Sequence, residues 1–294
     1  MKLASVTVWY NPDDSCVDNI LSYNTFVKAC YIVDNSSADN SFLAKQIPNA
    51  VYLPNFDNLG ISKALNIGCS HALSDGFKFC MTMDQDSFWR ESQLSKYLQL
   101  VDRNATGICV SFGPNLICPK NQCFLGMIKH LIFKKPSGLP NGEKEVEMLD
   151  CPRGVITSGN ILKLSVWKEI GMFYEPFFID EVDYEFCFRL KKYGYKIMKV
   201  ACVKLNHNLG CPKFTFYPSG GGYRGKRLYY IFRNCLYIKR MYPDEYKKWN
   251  YSKWLGFNIR SNLFNFRWGQ FFYIARALID VKKNVMGKYE ERRK

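Results

Sequence analysis

Asp84 and Asp86 stand two residues apart, directly after the apolar run FKFCMTM. At the end of a strand, carboxylates with this spacing can both face outward and share a hard divalent cation. Such a cation is a Lewis acid that neutralises the charge growing on a diphosphate as its sugar leaves. A D-x-D pair is also common in solvated acidic turns, so the reading needs a further ligand. Of the three histidines, His71 sits in a helical pattern and His130 in a Lys-rich apolar segment, both settings of structural imidazoles. His207 instead ends a strand pattern and precedes Asn208 and Gly210, where its ring can turn toward the same edge. Spacing alone does not set its distance from Asp86.

A second constellation is Asp180-Glu181-Val182-Asp183-Tyr184-Glu185, which leads a helix running to Arg189 and Leu190. Carboxylates in a first helical turn complement the helix dipole. Four acids in six residues exceed what a cap requires. One of them can act as general base, taking the proton of an acceptor hydroxyl while the sugar is attacked from the opposite face. The stretch Asn58-Leu59-Gly60, with Asn66 and Gly68 beyond it, is not a P-loop, and no G-x-G-x-x-G follows the first strand. A helix N-terminus at Gly60 can still approach a nucleotide or its phosphates.

These residues need a scaffold, and the first hundred residues read as alternating strands and helices. SVTVWY (5–10) is a strand closed by Asn11-Pro12, CYIVDN a second of buried type, AVYLPN (50–55) a third and FKFCMTMDQDS a fourth. Helical spacing fills 15–29 and the segment opened by Gly60. Strand–helix–strand at this interval predicts a parallel, doubly wound α/β sheet, and ligands bind at the carboxyl ends of such strands. Those ends carry Asn11, Asp34-Asn35 and Asp84-Gln85-Asp86. Further on, the pattern predicts a loop or hairpin over 141–149, a helix over TSGNILKLSVWKEIGMF, and a strand VACVKLNHNLG ending at His207. SGGGYRG (219–225) reads as a flexible separator.

The chain has 294 residues and a net charge of +15, and the charge is unevenly placed. Residues 1–223 hold 23 Lys+Arg against 21 Asp+Glu, whereas 224–294 hold 18 against 5. This predicts two parts: a catalytic domain over 1–223 and a basic, aromatic, mainly helical extension over 224–294. The start MKLASVTVWYNP reads straight into a strand rather than a signal peptide, and the twelve cysteines lie in apolar runs without any C-x-x-C. Buried, reduced thiols and a cytoplasmic setting are expected. No apolar stretch of about eighteen residues is present, so no spanning helix is expected.

Taken in order, TVWYNP (7–12), IVDNSS (32–37), NLGISKALNIG (58–68), MDQDS (83–87), TSGNIL (157–162), FFIDEVDYEFCFRLKKYGY (177–195) and HNLG (207–210) resemble glycosyltransferase family 2, and within it the bacterial rhamnosyltransferase-like group. The resemblance covers about residues 5–235. It implies a GT-A fold and an inverting direct displacement with Mg²⁺ or Mn²⁺. It also implies that Asp34 contacts a uracil or thymine base lined by Asn11 and Pro12, with Asn35, Asn58, Gly60, Lys63 and Gln85 on the donor side. Asp84 lies near the ribose or metal, and Asp86 and His207 hold the metal. Counting back from Arg189 assigns the base to Asp183, with Glu181 as fallback; Val182 stands where most members carry Glu, a departure the rhamnosyltransferase-like members share. The same forms favour dTDP-L-rhamnose as donor, with UDP-hexoses and UDP-galactofuranose as alternatives.

The resemblance also implies a glycan or lipid-linked glycan acceptor of O-antigen or capsule type. It decides how the extension is read, since Lys/Arg mixed with Trp249, Trp254, Trp268, Phe271 and Phe272 fits nucleic acid or an interfacial helix equally well. Peripheral attachment to an anionic inner membrane face is the expectation, with a homo-oligomer contact as the alternative and no nucleic acid. Two other classes fit the sequence less well. A nucleotidyltransferase opens with a Gly-rich basic loop after the first strand, where this chain has Asn-Pro-Asp-Asp. A nucleic-acid-binding protein would be driven by the tail alone and lose its ligand at high salt.

Overall fold

The computed structural model describes residues 1–117, 147–148, 154–207 and 224–290. They divide between two compact units. The first takes its described residues from 1–117, 147–148 and 154–207, and the second from 224–290. His130, Asn208, Gly210, most of the 141–149 segment and the glycines at 220–222 lie outside the described residues.

The first unit is built on one mixed sheet. Strands β1 (Leu3–Trp9), β2 (Cys30–Asp34), β3 (Ala50–Pro54) and β4 (Phe79–Asp84) run parallel in the order β3-β2-β1-β4. Every residue of β1 and β2 is buried, including the small hydroxyl residues Ser5 and Thr7, as expected of central parallel strands covered on both faces. Helices α1 (Asp14–Leu21), α2 (Ser41–Ala44) and α3 (Ile61–Ser74) make the crossovers. Asp13, within the Asn-Pro-Asp-Asp sequence, caps α1 by accepting the Ser15 N–H at 3.0 Å. Gly68 lets α3 lie on the sheet: a Cβ there would meet Val6 Cγ1 at 2.5 Å.

Past β4 the parallel pattern stops. A two-residue β5 (Ser87–Phe88) and helix α4 (Glu91–Asn104) follow, then β6 (Cys109–Ile117) and β7 (Glu147–Met148). β8 (Asn160–Lys163) runs antiparallel between β4 and β6 and passes directly into α5 (Leu164–Glu169). The helix expected over this whole segment is therefore a strand and a short helix. Helix α6 (Val182–Lys192) leads to the twelve-residue β9 (Lys196–His207), which is parallel to β6 and antiparallel to β5 and β7. The mostly parallel sheet expected is thus parallel in its first four strands and mixed beyond them. Pro114 sits at a register shift between β6 and β9, where a missing N–H is tolerated.

The second unit is helical: α7 (Lys226–Met241), α8 (Pro243–Lys248), α9 (Tyr251–Phe264) and α10 (Gln270–Lys282). α7 and α10 bury Leu228, Ile231 and Ile238 with Ile274, Ala277 and Val281. Asp280, 1% exposed, accepts from Tyr229 Oη at 2.9 Å and Arg276 Nε at 2.8 Å. Burial, ahead of the neighbouring charges, pushes the Tyr229 hydroxyl up to about 12, so it stays a donor. Among the described residues no helix is long and apolar enough to cross a membrane. The eight described cysteines are free thiols, seven of them buried.

Candidate active site

The sheet register brings the expected residues to one edge. Asp34 stands opposite Trp9 and Asp84 opposite Val8, so the two aspartates flank the end of β1. The chain then turns through Gln85 and Asp86, and β5 pairs with β9 so that Ser87 faces His207 directly. Residues opposed in an antiparallel pair have Cα atoms about 5 Å apart, which is what carries His207 to Asp86. Asp84, Asp86 and His207 each present a ligand atom within 4.8 Å of the others.

Two hydroxyls lie behind this trio. Ser158 Oγ donates to Asp84 Oδ2 at 2.6 Å and shares a 2.9 Å bond with Ser87 Oγ. Ser87 Oγ lies 2.5 Å from His207 Nδ1, which is also 3.4 Å from Asp86 Oδ1. His207, Ser87 and Ser158 are buried, whereas the Asp86 side chain is 42% exposed, so the cluster opens on the Asp86 side. Two carboxylates and an imidazole suit Mg²⁺ or Mn²⁺, and the serines orient them as outer partners orient metal ligands. Sequence reasoning named neither serine as a site residue, although both sit in the quoted MDQDS and TSGN stretches.

The donor-side residues divide by how their polar atoms are used. Gln85 forms a two-way bond with the backbone of Tyr10, accepting at 2.7 Å and donating at 3.3 Å, and its own carbonyl takes Asn19 Nδ2 at 2.7 Å. It clips the Asn11-Pro12 turn to the end of β4. Asn11, in the left-handed region at φ 47°, donates its N–H to Ser36 Oγ at 2.7 Å. Asp34 is fully buried and accepts from Ser36 N, Asn40 Nδ2 and Tyr52 Oη, each at 2.8 Å. Burial foremost, together with the Asp34 carboxylate, raises the Tyr52 hydroxyl above its ordinary range and keeps it a donor. Asp34 thus organises three neighbours at the end of β2.

Asn35 Nδ2 donates to Gly60 O at 3.1 Å, and Asn58 Oδ1 accepts the Gly60 N–H at 3.0 Å. The N-terminus of α3 is not open to a phosphate as expected: Ile61 N donates to Phe178 O at 2.7 Å. Gly60 has φ +86°, and a Cβ there would meet Phe178 Cδ2 and O, both at 2.6 Å. Lys63, one turn in, is exposed.

Phe178 belongs to the acidic turn. Its φ 65°, ψ −64° and the 2.7 Å bond from Ile179 N to Phe177 O make it the centre of a γ-turn of the strained hand. Asp180 and Glu181 also have positive φ, at 62° and 63°. Three strained residues in four are held where the acids begin, a placement associated with functional loops. Glu181 is buried and Asp183 half-buried, with its Oδ1 taking the Tyr184 N–H at 2.9 Å. Glu185 is committed elsewhere: it is 1% exposed and holds Arg189 through two bonds of 3.0 and 2.7 Å. That fork explains the acid–Arg spacing and removes Glu185 from the candidates for a base.

Residues 14–122 match the model of Glycosyl transferase family 2. The chain is a glycosyltransferase, similar to family 2 over this segment. It is 28% identical over 216 residues to a dTDP-rhamnosyl transferase RfbF of Shigella flexneri, covering 71% of this chain and 70% of that protein. Among solved structures, the glycosyltransferase is similar to GalNAc-T7 with UDP, GalNAc and Mn²⁺ at a TM-score of 0.58 and 13% identity. That match covers 96% of this chain but 58% of the other, so the chain spans little more than half its length. S. aureus TarS 1–349 in complex with UDP-GlcNAc matches at 0.55 and 13% identity, over 97% of this chain and 82% of that one. The fold is GT-A.

Proposed function

We propose that this glycosyltransferase moves L-rhamnose from dTDP-L-rhamnose, with inversion, to a glycan or lipid-linked glycan acceptor in O-antigen or capsule synthesis. The observation that carries a metal-assisted transfer is the convergence of Asp84, Asp86 and His207 within 4.8 Å at the strand ends. These three residues would hold Mg²⁺ or Mn²⁺, which when bound neutralises charge on the departing diphosphate. Ser158 and Ser87 keep Asp84 and His207 aimed at that position. Asp34, its carboxylate held by Tyr52 and Asn40, contacts the uracil or thymine base, with Asn35, Asn58 and Gly60 beside it on the donor side. Asn11 and Pro12, clipped by Gln85, line the pocket, and Lys63 adds a cation on the donor side. Asp183 takes the proton of the acceptor hydroxyl, and Glu181 is the fallback base. Rhamnose as the sugar is supported by the similarity to the Shigella flexneri dTDP-rhamnosyl transferase.

The protein works in the cytoplasm on the inner face of the membrane, held there by its basic segment. The deciding experiment offers dTDP-, UDP- and GDP-sugars with Mn²⁺ and follows nucleotide release. Release of dTDP from dTDP-L-rhamnose is expected. Release of UDP from a UDP-hexose or UDP-galactofuranose moves the donor to that class, and pyrophosphate release moves the chemistry to nucleotidyl transfer.

A further inference from the structure

Within the helical unit, the turn joining α9 to α10 leaves its apolar side chains in solvent. Phe266 is 74% exposed, Trp268 62% and Phe272 63%, with Leu263 beside them. Phe266 also has φ 55°, in the left-handed region that a bulky residue avoids. The backbone is strained at a residue whose ring gains no burial from it. α10 then continues the surface. Its Ile274, Ala277 and Val281 are buried, while Phe272, Ala275 and Ile279, at the same helical spacing, are exposed. A helix apolar on two faces has a second face to cover.

Charge says what covers it. No Asp or Glu occurs between Glu245 and Asp280, and Asp280 is buried. Lys253, Arg260, Lys282 and Lys283 are exposed on the two helices. Gly225 N donates to Gln270 Oε1 at 2.6 Å, which places exposed Arg224 against the 267–270 turn. Burial, and after it the Arg224 cation, lower the Arg267 guanidinium below its ordinary value, so two like charges share this corner. A second copy of the chain would set cations against cations here. An anionic surface would relieve them.

We infer that the α9–α10 turn is a docking surface for an anionic lipid bilayer, with Phe266, Trp268 and Phe272 at headgroup depth and Arg224 and Arg267 on lipid phosphates. This rests on the membrane reading above and names its contact. Rings at the interface contribute apolar burial, and nearby cations add attraction to anionic lipid.

The test uses the full chain and vesicles of phosphatidylcholine with or without about one-third phosphatidylglycerol, in the range where a few cations give a measurable preference. Co-sedimentation with the anionic vesicles is expected, together with quenching of tryptophan fluorescence by lipids brominated near the headgroup. The triple variant Phe266→Ala, Trp268→Ala, Phe272→Ala is expected to weaken sedimentation at least about tenfold, from the apolar area withdrawn. Arg267→Glu is expected to erase the preference for anionic vesicles. Donor turnover, measured alongside with a soluble acceptor, stays at the wild-type level in both variants and certifies folding. Unchanged sedimentation of the triple variant overturns the inference. So does a wild-type dimer, seen by light scattering, that the triple variant abolishes. Loss of lipid binding with no turnover of any nucleotide-sugar by the wild type would instead retire the catalytic reading and leave the surface standing.

Discussion

The sheet unit and the helical unit each depart from ordinary burial, and the departures that bear on function differ between them. In the first, groups that usually face water are inside: Asp34, Glu185, Ser158 and His207 are buried, and each is satisfied by named partners. In the second, groups that usually lie inside are in solvent, with Phe266, Trp268 and Phe272 more than half exposed. Burying polar groups costs free energy unless every one is hydrogen-bonded, and exposing large rings forgoes burial that would stabilise the fold. Each unit accepts that cost where it meets something else. On the proposed reading, the buried polar network preorganises a site for charged chemistry, and the exposed rings form a surface that would desolvate on a bilayer.

The contrast can be broken most forcefully at the acidic turn. Asp183→Asn is expected to lower transfer about 10³-fold, the scale of a lost general base, with metal-dependent nucleotide binding intact. Isothermal titration beside the rate assay separates the two, and lost nucleotide binding would make Asp183 a ligand instead. Gly60→Ala comes next, because the new Cβ meets Phe178 at 2.6 Å. It is expected to cost about 2 kcal/mol of stability, read from the urea midpoint. An unchanged midpoint would show that the two loops are not braced against each other.

Smaller effects sharpen the comparison. Ser158→Ala is expected to raise the Mn²⁺ concentration for half-maximal rate about tenfold, as removal of a hydrogen-bond partner behind a metal ligand does. A flat metal titration would leave that hydroxyl with a packing role only. Trp268→Ala should move thermal stability by less than about 0.5 kcal/mol, since an exposed side chain contributes little to folding. A large loss there would mean the ring is part of the core after all.

How much of this was legible followed from how local the determinants are. The four parallel strands and their polar ends could be read from SVTVWY, CYIVDN, AVYLPN and FKFCMTMDQDS, because each is a short run rich in β-branched or aromatic residues that stops at a turn or polar residue. β8 could not, since Asn160–Lys163 passes into α5 with no turn residue between them and takes its strand form from distant partners β4 and β6. The trio was half legible: Asp84 and Asp86 stood together in sequence, but their distance to His207 depended on the pairing of β5 with β9. Ser87 and Ser158 had motif positions and no visible role, because a hydroxyl's partners are a property of the fold. The open helix N-terminus expected at Gly60 failed for the same reason, since its acceptor, Phe178, lies in a turn more than a hundred residues away.

The Ser87–His207 pair spans 120 residues of chain. Closing so long a loop is entropically costly and slow compared with joining β1 to its neighbours. The expected order in refolding is therefore the first strands, with their two aspartates, ahead of the β5–β9 pairing that brings the imidazole. Pulse-labelled hydrogen exchange would show it as late protection at β5 and β9.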